Sequence, residues 1–369
     1  MPPMTHTLPG SDVVIESLPK VSLHDHLDGG LRPQTIIDIA AEQGLDLPAD
    51  SAEELGTWFA EQSDSGSLVE YLKTFDVTTS VMQTAGALTR IAREFVEDLH
   101  ADGVIYGEIR WAPEQHLADG LTLDEAVEAV QAGIDEAVES IRGAGGKMWV
   151  GQLISAMRQA DNGLEIAELA LRHRGQGAAG FDIAGPEAGF PPSRLTEAFD
   201  LLASAFFPVT VHAGEADGVE SIRSALLDGR ALRLGHGVRI FEDMTIHEDG
   251  DQTTVELGDV ARWVLDRGIV LETSPSSNLQ TGAIGQDRVM ADHPFDVLYR
   301  LGFAVTVNTD NRLMSHTTLS RELYLLAETF GYDTTDLLAF QINAAHAAFV
   351  PREIKDEIVD VLMEGFEAV

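Results

Sequence analysis

The stretch "VSLHDHLDGG", residues 21–30, sets His24 and His26 two positions apart, with Asp25 between them and Asp28 just beyond. On an extended strand, residues i and i+2 share a face, so the two imidazoles would converge on one point. Neutral imidazoles side by side suit a divalent metal. An H-x-H pair alone is as readily two surface histidines in a loop, so the test is whether matching ligands stand elsewhere in the chain. "VHAGE" carries His212, Gly214 and Glu215, "LGHG" carries His236, and "VNTDN" carries Asp310 and Asn311. His24, His26, His212 and Asp310 make a set of three imidazoles and one carboxylate. Zinc accepts such donors and keeps a position open for water when catalytic; a ferrous or manganese ion fits the same donors. Glu215 and His236 are left outside the set. A metal-activated water needs a partner to take its proton and aim it, and His236 suits that role. A reacting substrate needs a proton, and Glu215 would hold one if burial raises its pKa. Together these groups indicate hydrolysis of a C–N or related bond, and the residues by themselves carry the chemistry no further.

These residues need elements that bring them together. Short apolar runs rich in β-branched and aromatic residues occur at 21–26, 103–113, 148–158, 178–185, 207–215, 231–238, 268–275 and 303–310, which predicts eight strands. Segments with helical spacing lie between most of them, at 121–142, 163–174, 193–205, 218–227 and 257–267, and Thr122 with Glu125 fits a capping box at the start of the first. Eight strands alternating with helices predict an α/β chain folded as a (β/α)8 TIM barrel rather than a doubly wound sheet. "DHLDGGLRP" lacks the G-x-G-x-x-G spacing that a doubly wound dinucleotide fold would want after its first strand. In a barrel of this kind, chemistry sits where strands end. Four of the twelve histidines (His24, His26, His212 and His236) fall at such ends, as does Asp310. The strand over 178–185 ends in "DIAGPE", where Gly185 would let backbone approach a ligand. Extra helices are expected over 33–102, after strand 1, and a helical C-terminal tail over 311–369. Leu68, Tyr71, Leu72 and Phe75 would share one helical face, packed on the barrel or forming an apolar lid over its mouth. With no repeat, low-complexity tract or linker, a single domain over 12–369 is expected, with a disordered N-terminus over 1–11.

Composition narrows the partners. The 369 residues carry a formal charge of −37, with 61 acidic against 24 basic side chains. Such a surface repels nucleic acid and anionic membranes. The only lysines are Lys20, Lys73, Lys147 and Lys355. None stands at the end of a strand, where binuclear hydrolases of this architecture carry a bridging carbamate, so one metal is expected. With no cysteine, disulfides, thiolate nucleophiles and Cys-type zinc sites are excluded. No apolar run approaches the ~20 residues of a membrane span, and the first residues do not read as a signal peptide. The expected location is the cytoplasm.

"HDHLDG", "SLVEYLKTFD", "EIRWAPE", "AMR", "FDIAGPE", "VHAGE", "LGHGVRI", "LETSPSSN" and "VNTDN" occur in this order over about residues 20–345. In these motifs the chain resembles the adenosine deaminase family of metal-dependent hydrolases, and "DHLDGGLRP" with "NTDNRLMS" looks like its actinobacterial branch. The resemblance implies a (β/α)8 fold, one Zn2+ per chain, and hydrolysis of the 6-amino group of adenosine and 2′-deoxyadenosine to inosine products and ammonia. It implies that His24, His26, His212 and Asp310 hold the metal and that Glu215 protonates purine N1. His236 would handle the attacking water, aided by Asp310. His26, Asp28, Gly185 and Asn311 would contact the substrate, Gly185 at purine N3 and Asp28 at the ribose 5′-hydroxyl. Leu68, Tyr71, Leu72 and Phe75 would line the lid. Asn311 departs from the family, which usually has an aspartate there against purine N7. The partner would be a small-molecule purine nucleoside, with no nucleic acid and no membrane; the oligomeric state is not legible. Free adenine and aminodeoxyfutalosine stand as alternative substrates. A non-purine amidohydrolase, a phosphotriesterase-like or lactone hydrolase on the same barrel, and a non-catalytic binding protein are the more distant alternatives.

Overall fold

The computed structural model describes residues 5–249 and 252–369. Eight parallel strands form the frame: β1 (Lys20–His26), β2 (Val104–Trp111), β3 (Trp149–Met157), β4 (Ala178–Ala184), β5 (Thr210–Ala213), β6 (Arg233–His236), then β9 (Val270–Thr273) and β10 (Val305–Val307). The remaining two, β7 (Met244–Asp249) and β8 (Gln252–Leu257), pair antiparallel as a hairpin between β6 and the next helix. The frame consists of two four-stranded sheets, β1-β2-β3-β4 and β10-β9-β6-β5. Parallel bridges join them at Phe181–Val209 and at Asp25–Asp310. The sheet therefore closes on itself as the predicted eight-stranded barrel, with the order β1-β2-β3-β4-β5-β6-β9-β10.

β1 and β2 are buried along their whole length, as strands walled by barrel interior on one side and helices on the other must be. The helix Leu123–Gly143 starts with the expected capping box, in which Thr122 and Glu125 satisfy each other's free backbone donors. It packs against Ala85–Ala101 through closely approaching backbones: a Cβ at Gly133 would collide with the Thr89 carbonyl. The helices Leu319–Phe330, Thr334–Ala347 and Arg352–Glu367 form the tail. The middle one covers the start of β1, where the Gln341 side chain accepts from Val21 N at 2.8 Å.

Three observations differ from the expectations. Residues 5–11 are not disordered: Thr7 bridges Val14, His6 N donates to both Glu16 carboxylate oxygens at 3.0 Å, and Leu8 is buried in the core. Residues 1–4 lie outside the described part. The expected single helical face over Leu68–Phe75 is broken into a helix Leu68–Tyr71, a 3-10 turn Leu72–Thr74 and a second helix Phe75–Ser80. Thr74 and Thr79 direct their hydroxyls at the Tyr71 and Phe75 carbonyls, at 2.8 and 2.6 Å. Such back-bonding competes with helical pairing and bends the chain. The β7–β8 hairpin was not anticipated.

Candidate active site

The bonds that close the barrel also build the site. His26 N donates to the Asp310 carbonyl at 2.8 Å, and Asp310 N donates to the His24 carbonyl at 2.9 Å. Asp310 is thereby fixed beside both histidines of β1. Its Oδ1 lies 3.3 Å from His24 Nε2 and 3.3 Å from His26 Nε2. His212, from the end of β5, brings its Nε2 to 3.3 Å from His26 Nε2. The predicted set of His24, His26, His212 and Asp310 therefore converges in one buried cluster. His236 also belongs to it: one ligand atom each from His24, His212, His236 and Asp310 lie within 4.8 Å of one another.

The imidazoles are oriented from behind. His212 Nδ1 sits 2.8 Å from Asp182 Oδ2, and His24 Nδ1 sits 3.2 Å from Glu272 Oε2. A carboxylate facing Nδ1 keeps the proton there and leaves the Nε2 lone pair free for a metal. Arg110 holds both carboxylates, Nη1 on Asp182 at 2.9 Å and Nη2 on Glu272 at 2.7 Å. Burial pushes the His26 and His212 pKa values down, well down for His26, so these rings are neutral, as ligands must be. Burial opposes charge on Asp310, but the close approach of His24 and the other surrounding imidazoles outweighs it and holds the carboxyl well below its usual range. Burial and Arg110 push the His24 pKa down, but its contacts with Asp310 and Glu272 outweigh them and raise it; the neutral His26 and His212 nitrogens beside the ionised Asp310 oxygen are the part of the set that fits a divalent ion.

His236 is turned differently. Its Nε2 lies 3.4 Å from Glu215 Oε2, and its Nδ1 is 2.9 Å from the Asn278 amide. Burial lowers its pKa well below that of a free imidazole. Glu215 is almost wholly buried, and this burial, with the charges of Asp310 and Glu187, pushes its pKa well above the carboxylate range. The site thus pairs a carboxyl pushed toward its protonated form with an imidazole pushed toward its neutral form. Both His236 (φ 62°) and Asp310 (φ 59°) adopt the left-handed backbone region, an unfavourable conformation for such residues that clusters at functional sites.

The other expected positions surround this centre. Asp28 is buried, with Oδ1 3.9 Å from His26 Nδ1, and burial raises its pKa to about 7. Asn311 is buried with Oδ1 lacking a hydrogen-bond partner. It packs so closely on Gly29 that a Cβ there would strike its amide. Gly185 has φ 100°, and a side chain on it would collide with Gln159 and Met157. Tyr71 is buried with its hydroxyl toward Ser315 and Asn311, whereas Leu68, Leu72 and Phe75 are half-buried.

Sequence reasoning missed Asp182, Glu272, Arg110, Asn278 and Ser277, whose hydroxyl donates to Asp310 Oδ2 at 2.6 Å. Their signal was available: a carboxylate inside an apolar strand, as in "FDIA" and "VLET", has to find a buried partner.

The adenosine deaminase family model matches residues 19–365. The chain belongs to the adenosine deaminase family. It is accordingly an enzyme, a hydrolytic deaminase. Adenosine deaminase 1 of Streptomyces coelicolor is 53% identical over 354 residues, 95% of this chain and 88% of that protein. The adenosine deaminase of Mycobacteroides abscessus is 51% identical over 356 residues, 96% and 97% of the two chains. Among solved structures, the adenine deaminase of Arthrobacter aurescens superposes with a TM-score of 0.80 at 25% identity, covering 95% of this chain and 99% of its own. The family frame agrees with the barrel and with a centre that could hold a metal. No helix among the described residues is long and apolar enough to cross a membrane.

Proposed function

We propose that the chain hydrolyses the exocyclic 6-amino group of adenosine and 2′-deoxyadenosine, releasing ammonia and the corresponding inosine product. One observation carries this reading: a donor set for a divalent ion meets, in one buried site, a carboxyl whose pKa burial raises and an imidazole whose pKa burial lowers, 3.4 Å apart. The curated relatives at about half identity are adenosine deaminases. His24, His26, His212 and Asp310 hold one zinc ion, and the chemistry the ion supplies when bound is activation of water as a nucleophile near neutral pH. His236 accepts the proton of the attacking water and aims it at C6. Glu215 donates its proton to purine N1, which makes C6 electrophilic. The Gly185 amide donates to N3, Asp28 holds the ribose 5′-hydroxyl, and Leu68, Tyr71, Leu72 and Phe75 exclude bulk water. The strongly acidic composition favours an uncharged nucleoside over a nucleotide.

The test is an ultraviolet assay of zinc-loaded protein on adenosine, 2′-deoxyadenosine, adenine and other 6-aminopurines. The two nucleosides should be turned over fastest. Conversion of free adenine with adenosine left intact would overturn the assignment.

Asn311 refines the substrate contact. Purine N7 only accepts hydrogen bonds, and an asparagine amide donates at any ordinary pH, whereas an aspartate must be held protonated to do so. Asn311→Ala should therefore lower kcat/KM for adenosine by roughly 1–3 kcal/mol, the scale for a buried polar group left unpaired. The wild type should handle 7-deazaadenosine poorly, and the variant should discriminate far less between the two nucleosides. An unchanged preference ratio would remove Asn311 from N7 recognition.

A further inference from the structure

Glu187 follows Gly185 by two residues in "DIAGPE" and so far enters only through the charge it places near Glu215. It is 2% exposed, and its carboxylate is saturated by a single turn. Oε1 accepts from Gly214 N at 2.6 Å and from the Ser221 hydroxyl at 2.5 Å. Oε2 accepts from Glu215 N at 3.0 Å, Ala216 N at 2.6 Å and Asp217 N at 3.0 Å. Four consecutive backbone amides pointing at one anion form a nest of the kind that usually binds a free ion; here the chain supplies the anion itself. The turn needs Gly214, which has φ 74° and where a Cβ would stand 2.6 Å from the Ile222 side chain. Ser221 lies in the helix Val219–Leu227, so the same carboxylate ties the start of that helix to the turn.

We propose that Glu187 is a positioning residue that fixes the turn Gly214–Asp217 and so holds the Glu215 carboxyl against His236 and the substrate. Without it, four amides of the turn lose their acceptor, two of them, on Gly214 and Glu215, in buried residues. A glutamine offers one acceptor oxygen in place of two, and its amide hydrogens would face backbone N–H groups. The turn must then shift, and Glu215 shifts with it. A displacement of about 1 Å in a reacting group costs on the order of 10²-fold in rate. The metal cluster hangs on other supports, Asp182 and Glu272, and is expected to survive.

The proposal rests on Glu215 being the proton donor, and a double-mutant cycle separates the two readings. Glu187→Gln should lower kcat by about 10²-fold with KM and bound zinc unchanged, and Glu187→Asp, which keeps both acceptor oxygens, should recover part of the loss. In a Glu215→Gln background, Glu187→Gln should cost nothing further. The same fold loss in both backgrounds, or loss of zinc from Glu187→Gln, would overturn the positioning role. If Glu187→Gln does not fold, Ser221→Ala carries the same cycle by removing one donor, with a smaller loss that should likewise vanish beside Glu215→Gln and that overturns the role if it persists. Full activity in Glu215→Gln alone would instead overturn the assignment of the acid and this proposal with it.

Discussion

Glu215→Gln is expected to keep its fold and its metal while losing roughly 10²–10⁴-fold in kcat, the range for removal of a general acid or base. The two side chains have nearly the same shape, and a carboxyl whose pKa is pushed up by burial carries charge less readily than an exposed one, so the substitution disturbs the charge balance less than it would at the surface. The Glu215 pKa stands well above the carboxylate range, chiefly through burial and secondarily through the charges of Asp310 and Glu187. What glutamine cannot do is give a proton away. The nucleoside still binds, so the loss should fall on kcat rather than KM. Steady-state kinetics with metal analysis of the same preparation checks this. An empty metal site in Glu215→Gln would reassign Glu215 as a ligand, and unchanged kcat would remove it from the chemistry.

The parts of this site that were legible in the sequence have a common physical cause. A barrel strand buried on both faces is written as an apolar run, so a histidine or aspartate at the end of such a run is conspicuous. His24, His26, His212, His236 and Asp310 were found in this way, and the structure brings them together. The supporting charges were harder to place. Arg110 meets Asp182 and Glu272 across sequence separations of 72 and 162 residues, and these partners face one another only once the barrel closes. Glu187 was visible in "DIAGPE", but nothing local showed that its carboxylate would be caged by a turn near residue 215. The break near Leu72 was obscured because the apolar spacing is that of an unbroken helix, and the competition comes from threonine hydroxyls that periodicity does not weigh. The β7–β8 hairpin was missed for the opposite reason: Ile246 is exposed on it, and Met244 and Leu257, at its base, are the residues packed against the core. A ribbon with so little buried surface leaves only a weak apolar pattern to read.

Removal of one imidazole should have the largest effect of all. His24→Ala and His212→Ala are each expected to lose bound metal and, with it, measurable activity, because each leaves an incomplete coordination shell. Chelation of the wild type should abolish turnover and added zinc restore it, at about one metal per chain for a set of three imidazoles and one carboxylate. The residues behind the ligands give a graded version of the same test. Asp182 holds His212 Nδ1 at 2.8 Å, and Asp182→Asn keeps the shape of that contact while removing the charge that fixes the tautomer. Changes to such a supporting group typically cost about 10–100-fold in metal affinity or activity, so Asp182→Asn should bind zinc more weakly yet recover activity at high zinc, whereas His212→Ala should not. Competition against a chelator of known affinity, followed by activity at saturating zinc, distinguishes the two. Two tightly bound metals per active chain would refute the mononuclear centre. Equal zinc affinity in Asp182→Asn and the wild type would show that the His212 ring keeps its orientation without the carboxylate, leaving Asp182 to its ion pair with Arg110 and to the Ile183 and His212 backbone amides it accepts from.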